Sequence, residues 1–271
     1  MVRAFIIRVL NRFPRAKRAL SSLRRRLLPG ASVSANYATI EDGQATAEGQ
    51  RLRHSWQDAG LPLRQRELVD QQLQQYRSGK KIVVFDVFVQ ALRDLPDVRS
   101  GMSLLEIGCS SGYYSEVMSI AKIPLEYTGC DYSAPFINMA RAKYPSAKFS
   151  VADATDLPFQ DQYFDIVVSG CCLLHIPEYI RAIEETARVC RHYAIFHRTP
   201  VVWGKPGQWF RKRAYGVETV EIHFNEAELL ALFQDKGLEV MVSHTLHEES
   251  RGTDHARGGA VRTYVCRKRM S

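Results

Sequence analysis

Apolar positions in this chain follow three successive rhythms. Over the first of them, Phe5, Val9, Phe13, Ala16, Leu20, Leu23 and Leu27 recur every three or four residues, with Arg8, Arg12, Arg15, Arg18, Arg25 and Arg26 flanking them. That spacing puts the apolar side chains on one stripe of a helix. Pro14 kinks or restarts the helix, and Pro29-Gly30 ends it. Residues 31–50 are small and polar and read as a linker. Over 51–100 the pattern is helical. Leu61-Pro62 marks a break, Leu68, Leu73 and Tyr76 belong to a helix ending near Gly79, and Phe85, Val89 and Leu92 share one face of a second helix over 82–93. From residue 103 the rhythm changes to alternation. Strand-like runs stand at 103–108, 126–131, 148–152, 164–170, 192–197, 239–245 and 261–266, with helical segments at 112–122, 134–143, 178–190 and 225–235. The run FDIVVSG (164–170) is apolar with little alternation, as a strand buried on both faces is. The whole predicts an α/β fold with a seven-stranded, mostly parallel sheet, helices on both sides and an N-terminal helical cap. No helix separates the last two strands, so they are expected to form a terminal antiparallel pair.

Composition sharpens this picture in two places. Of 271 residues, 45% are apolar and 24% charged, which fits a globular domain and excludes collagen-like or generally disordered chains. The net charge of +8 is local. Residues 1–40 hold nine Lys and Arg and no acid, leaving 28 bases against 29 acids in the body. A basic nucleic-acid face is therefore not expected on the body. The six cysteines, Cys109, Cys130, Cys171, Cys172, Cys190 and Cys266, include no CxxC pair. They read as small apolar residues in a reducing compartment, not as a zinc site or disulfide framework. His223, His244, His247 and His255 have no ligand spacing, and no metal is assigned.

The chemistry is concentrated in 104–175. In LLEIGCSSGYYSE (104–116) a strand runs into a turn and then a helix. Gly108 and Gly112 can take positive φ and allow a ligand close to the backbone, at the strand end where open parallel sheets bind ligands. Glu106 can orient the turn or face a cationic group. In TGCDYS (128–133), Asp131 ends the next strand and can accept from both hydroxyls of a ribose, or cap the following helix. In VADATDLPF (151–159), Asp153 can accept from an adenine amine, or act as a turn residue. FDIVVSGCCLLHIPE (164–178) is a buried strand followed by small residues and His175. The Gly108–Gly112 spacing does not fit the GxGxxG of nicotinamide-binding folds.

The order of these four elements resembles the class I S-adenosylmethionine-dependent methyltransferases, a Rossmann-like family, especially the branch acting on small molecules. The resemblance is firm over 103–197. It implies that Glu106, Gly108 and Gly112 form the cofactor loop and that Asp131 binds the ribose. It further implies that Tyr132 flanks adenine, that Asp153 and Ala154 meet the adenine edge, and that Cys171 offers backbone near the methionine part. Ser110 departs from the family, which usually has a third glycine there. The chain then divides into a basic arm (1–30), a linker (31–50), a helical cap (51–100) and a methyltransferase domain (101–271).

Methyl transfer to a hydroxyl needs a base, and His175, just past the fourth strand, is the candidate; supporting the loop or capping the next helix is its other role. The Asn/Asp-Pro-Pro-aromatic motif of base- and glutamine-methylating enzymes is absent after that strand. Residues 199–224 read as a long loop, a lid or binding loop carrying Trp203, Trp209, Phe210, Arg211, Lys212, Arg213 and Tyr215. The expected function is methylation of a small molecule, at oxygen, with a saccharide or lipid-linked acceptor. RNA or protein methylation and non-catalytic cofactor binding are the alternatives. Three readings stand for the arm: a helix on an anionic membrane surface of a cytoplasmic protein, a mitochondrial transit peptide, or a helix packed on its own domain. On the first, deleting residues 1–30 reduces sedimentation with anionic liposomes and leaves cofactor affinity intact; equal liposome binding by both forms contradicts it.

Overall fold

The protein is represented by a computed structural model, in which the described residues are 34–250 and 258–269; the arm over 1–30 lies outside them. Strand β1 (Ser34–Ile40) is followed by α1 (Ala45–Leu52), a 3-10 segment (Arg53–Gln57), α2 (Leu61–Arg77) and α3 (Val83–Arg93). The alternating part runs β2 (Ser103–Ile107), α4 (Tyr113–Ile120), β3 (Glu126–Asp131), α5 (Ala134–Lys143), β4 (Lys148–Val151), β5 (Phe164–Gly170), α6 (Tyr179–Val189) and β6 (Cys190–Trp203). A hairpin of β7 (Gln208–Ala214) and β8 (Val217–Asn225) comes next, then α7 (Glu226–Asp235), β9 (Leu238–Ser250) and β10 (Gly258–Lys268).

The central sheet has the order β4-β3-β2-β5-β6-β10-β9. Its first five strands are parallel, and β10 runs antiparallel to both β6 and β9. This is the expected Rossmann-like sheet of seven strands closed by an antiparallel pair. Each face has its own core. On one, α3 and α4 lay Phe85, Phe88, Leu92, Tyr114 and Val117 against Leu104, Ile166, Val168, Ile195 and Val265. On the other, α6 and α7 bring Ile183, Ala187, Leu229 and Phe233 onto Leu105, Val167, Ala194 and Phe196. The Phe196 and Phe233 rings stack with centroids 4.3 Å apart. In α2, Val69 and Leu73, four apart, are buried with Leu61, Pro62 and Arg66, while Leu68 is only partly covered. Buried His197 of β6 bonds Tyr114 Oη at 2.9 Å and Thr263 Oγ1 at 2.8 Å, tying three elements together through a neutral imidazole.

Two regions differ from the expectation. Residues 31–50 are not a bare linker: β1 and α1 occupy most of them. β1 is an edge strand, so it needs no continuous apolar run, and its pairing with β7 is broken by a bulge between Ala35 and Ala38, where Asn36 takes φ 57°. Residues 199–224 are not a loop. Strand β6 extends to Trp203 and pairs with β8 in parallel, and β7 and β8 form a tight hairpin. Its two-residue turn is Tyr215-Gly216, both at positive φ, 48° and 87°. Two left-handed residues match the twist of paired strands, but Tyr in the first place hides the signal. The strands β1, β7 and β8 thus extend the sheet beyond β6.

Candidate active site

The ends of β2, β3, β5 and β6 converge at one edge of the sheet. The turn after β2 has Gly108, Ser110 and Gly112 at φ 70°, 47° and 72°. Packing inside the protein also demands the two glycines. A Cβ on Gly108 would lie 2.3 Å from Cys172 Cβ, and one on Gly112 would lie 2.6 Å from Phe149 Cζ. Ser110 adopts the same left-handed conformation with a side chain, at a cost of about 1–2 kcal/mol. Its N–H donates to Asp131 Oδ2 at 2.9 Å, and the Ser133 N–H donates to Asp131 Oδ1 at 2.9 Å. Asp131 therefore closes the turn and begins α5 while each oxygen keeps a lone pair. Ser111 Oγ, in the same turn, is buried without a partner among the described residues.

Glu106 stands beside it, 1% exposed. It accepts from the Tyr127 hydroxyl and lies over Gly170 of β5, where any Cβ would meet Oε1 at 2.4 Å. Burial pushes its carboxyl up to about 8, against the Tyr127 hydrogen bond and with the Asp131 charge adding to the rise. Burial likewise lifts Asp131 to about 6, opposed by the Ser133 and Ser110 amides. Neither carboxylate has a cationic partner among the described residues. A buried acidic pair without a counter-charge is unfavourable on its own and suits a cationic ligand.

The expected adenine side lies next to the 3-10 segment. Tyr132 donates from its hydroxyl to the Arg53 carbonyl, and Ser133 Oγ donates to the Trp56 carbonyl at 2.8 Å. Asp153 accepts from Thr155 N and Oγ1 at 2.9 and 2.7 Å and is ion-paired with Arg53, so both of its oxygens are engaged. Ala154 packs against the main core.

On the far side, Cys171 takes φ 63°, and its N–H donates to the His197 carbonyl at 3.1 Å. His175 Nδ1 is 2.6 Å from the Val220 carbonyl. A carbonyl only accepts, so Nδ1 carries the proton and Nε2 keeps a lone pair. Burial lowers its pKa to about 3, helped by Lys212 and Arg198 and opposed by Glu221. That weakens His175 as a proton acceptor. Its ring sits 4.8 Å from Trp56, whose Nε1 donates to Thr219 Oγ1 at 2.9 Å. Beneath the hairpin, Lys212 and Glu221 form a buried ion pair joined by His223 at 2.8 Å. Burial raises the Glu221 carboxyl, but His223 and Lys212 outweigh that and bring it down to about 2.

Trp56, Tyr215 and Arg198 also border the site. Tyr215 is one of the residues the sequence placed in a lid or binding loop, but no sequence motif marks the other two. Trp56 falls in a segment whose pattern is only helical, and Arg198 follows an apolar strand with no motif around it.

Residues 105–197 match the family described as a methyltransferase domain. Over 98 residues the chain is 37% identical to a probable tRNA methyltransferase 9B of Bos taurus, covering 35% of this chain and 20% of the relative. Over 98 residues it is 35% identical to a demethylmenaquinone methyltransferase of Staphylococcus aureus, covering 35% and 41%. The chain thus spans well under half the length of these curated relatives. Among solved structures, magnesium protoporphyrin IX methyltransferase from Synechocystis PCC 6803 with bound SAM superposes with a TM-score of 0.52, at 16% identity over 87% of this chain and all of the other. A Burkholderia thailandensis didemethyltoxoflavin N1-methyltransferase with bound S-adenosylhomocysteine gives 0.51, at 12% identity over 86% and 95%. Residues 105–197 are thus similar to a methyltransferase domain, and the fold is the one these solved methyltransferases share.

The raised Glu106 pKa has a consequence for stability. The folded state holds this proton more tightly than the unfolded chain, so stability is highest below the unfolded value of 4.5 and is lost as pH rises toward about 8. Glu106→Gln mimics the protonated form. In urea denaturation it should match the parent near pH 4.5 and exceed it by a few kcal/mol above pH 8, because each tenfold difference in proton affinity between the two states is worth about 1.4 kcal/mol. A pH-independent difference would show that Glu106 does not titrate in this window.

Proposed function

We propose that this protein transfers a methyl group from S-adenosylmethionine to a small-molecule acceptor, at an oxygen. The observation that carries the reading is the pair of buried carboxylates, Glu106 and Asp131, without a counter-charge among the described residues, beside a turn with three residues at positive φ. When bound, the cofactor supplies an electrophilic methyl on a sulfonium that is already a good leaving group, so the protein's work is alignment and exclusion of water. In this reading the Gly108–Gly112 backbone receives the methionine part. Glu106 offsets its positive charge, and Asp131 accepts from the ribose hydroxyls with its remaining lone pairs. The orphaned Ser111 hydroxyl is the kind of polar group a ligand would satisfy. Tyr132 flanks adenine. Asp153 and Ala154 meet the adenine edge, with Asp153 sharing its carboxylate between adenine and Arg53. The Cys171 backbone lies beside the methionine end.

His175 keeps Nε2 as an acceptor on the acceptor side. With its proton affinity lowered by burial, we read it as a group that orients the acceptor's hydroxyl and braces β8, and less as the final recipient of the proton. A small acceptor, saccharide or lipid-linked, is supported by the body's near-neutral charge and by the aromatic wall of Trp56 and Tyr215. The tRNA methyltransferase likeness supports a second reading, methylation of RNA. The arm over 1–30 is proposed to hold the enzyme at an anionic membrane surface.

Asp131→Ala removes charged hydrogen bonds to the ribose and should weaken calorimetric S-adenosylmethionine binding by about 1–3 kcal/mol, roughly 5- to 150-fold. Unchanged affinity removes Asp131 from the cofactor site. Tritiated-methyl incorporation into tRNA in place of small metabolites would replace the first reading by the second.

A further inference from the structure

Among the described residues, Arg198 has a guanidinium without any hydrogen bond or ion pair. The neighbouring cations are neutralised: Lys212 by Glu221 and Arg53 by Asp153. Arg198 follows the point where β5 and β6 stop pairing, at Gly170 and His197. Its backbone is left-handed at φ 60°, as is that of Cys171 at 63° on the adjacent strand end and Tyr215 at 48° in the hairpin turn. Strained non-glycine backbone concentrates where surrounding structure imposes a geometry for function. Strand β6 holds the residue firmly: its N–H points to Thr263 Oγ1 at 3.5 Å, and the preceding His197 is locked to Tyr114. The side chain is only part-exposed. Its electrostatic neighbours include Cys171, Tyr114, Tyr113 and Tyr215, and the neutral imidazoles of His175 and His197 also feel its charge. An enclosed guanidinium that is left uncompensated is costly to keep. Its planar fork of donors matches a carboxylate or a phosphate.

We propose that Arg198 anchors an oxyanion carried by the methyl acceptor, so that the acceptor is an acidic molecule bearing a carboxylate or a phosphate. This rests on the methyl-transfer reading of the same site. It narrows the acceptor class and makes Arg198 a binding and specificity residue. The cofactor's own methionine carboxylate is the competing source of the same chemistry.

The test uses the full chain, its Arg198→Gln and Arg198→Lys variants, and four probes. S-adenosylhomocysteine affinity is measured by calorimetry. Phenyl phosphate, benzoate and neutral benzyl alcohol are then titrated into the S-adenosylhomocysteine complex by ligand-observed NMR. The proposal expects phenyl phosphate or benzoate to bind the parent complex at least tenfold more tightly than benzyl alcohol. It expects Arg198→Gln to abolish that preference, Arg198→Lys to restore part of it, and S-adenosylhomocysteine affinity to stay within about twofold. It is overturned if neither anion is preferred, or if Arg198→Gln keeps the preference. Selective loss of S-adenosylhomocysteine binding in Arg198→Gln also overturns it, because Arg198 then serves the cofactor's carboxylate. Failure of the parent chain to bind S-adenosylhomocysteine is a different outcome: it removes the methyl-transfer reading, and the assignment of Arg198 with it.

Discussion

The rest of the site depends on two carboxylates enclosed at the ends of neighbouring strands with no cation among the described residues to neutralise them. Glu106 and Asp131 sit on β2 and β3, and the turn between β2 and α4 is bonded directly to one of them through the Ser110 amide. Burial drives both toward protonation. A protein that keeps such a pair does so at a cost to its ligand-free stability, and a ligand with positive charge relieves it. The turn's geometry follows from the same arrangement. Gly108 is pressed against Cys172 and Gly112 against Phe149, while Ser110 is forced left-handed so that its amide reaches Asp131.

The side proposed for the acceptor is built differently, by additions to the sheet. The extension of β6 carries the chain past the sheet edge, and the β7–β8 hairpin with β1 forms a wall pinned to the 3-10 segment by Trp56. Its polar interior is largely satisfied: Glu221 is shared by Lys212, His223 and Tyr37. His175 is absorbed into this wall through Val220 and Trp56. Arg198 is where that satisfaction stops.

What the sequence made legible follows from how strongly each feature constrains its residues. The parallel sheet was readable because buried strands such as 164–170 must be apolar, and because Asp131 and the glycine turn fall at fixed places on it. The antiparallel close was readable because no helix separates β9 from β10. The wall was not. An edge strand with polar residues, SANYATI, carries no apolar run, and a hairpin turn of Tyr215-Gly216 lacks the usual asparagine or aspartate. The strand pattern of 208–225 was masked because β8 is buried on both faces with Thr219 and Glu221 inward among ion-paired partners. His175 was legible as a residue near the site, but its neutral, depressed state comes from burial and from tertiary neighbours distant in sequence, Lys212 and Glu221 among them. Ser110 was visible as a departure from three glycines; that it takes positive φ regardless required the structure.

The central claim is that the Glu106–Asp131 pair receives a positively charged cofactor. Calorimetric titration of the full chain with S-adenosylmethionine near pH 7.5, in two buffers of different ionisation enthalpy, tests it most directly. The bound cation should favour ionised carboxylates, so one site should bind with net release of a proton and with affinity that rises from pH 6 to pH 8. No binding, or binding that moves no proton and does not vary with pH, would contradict the account.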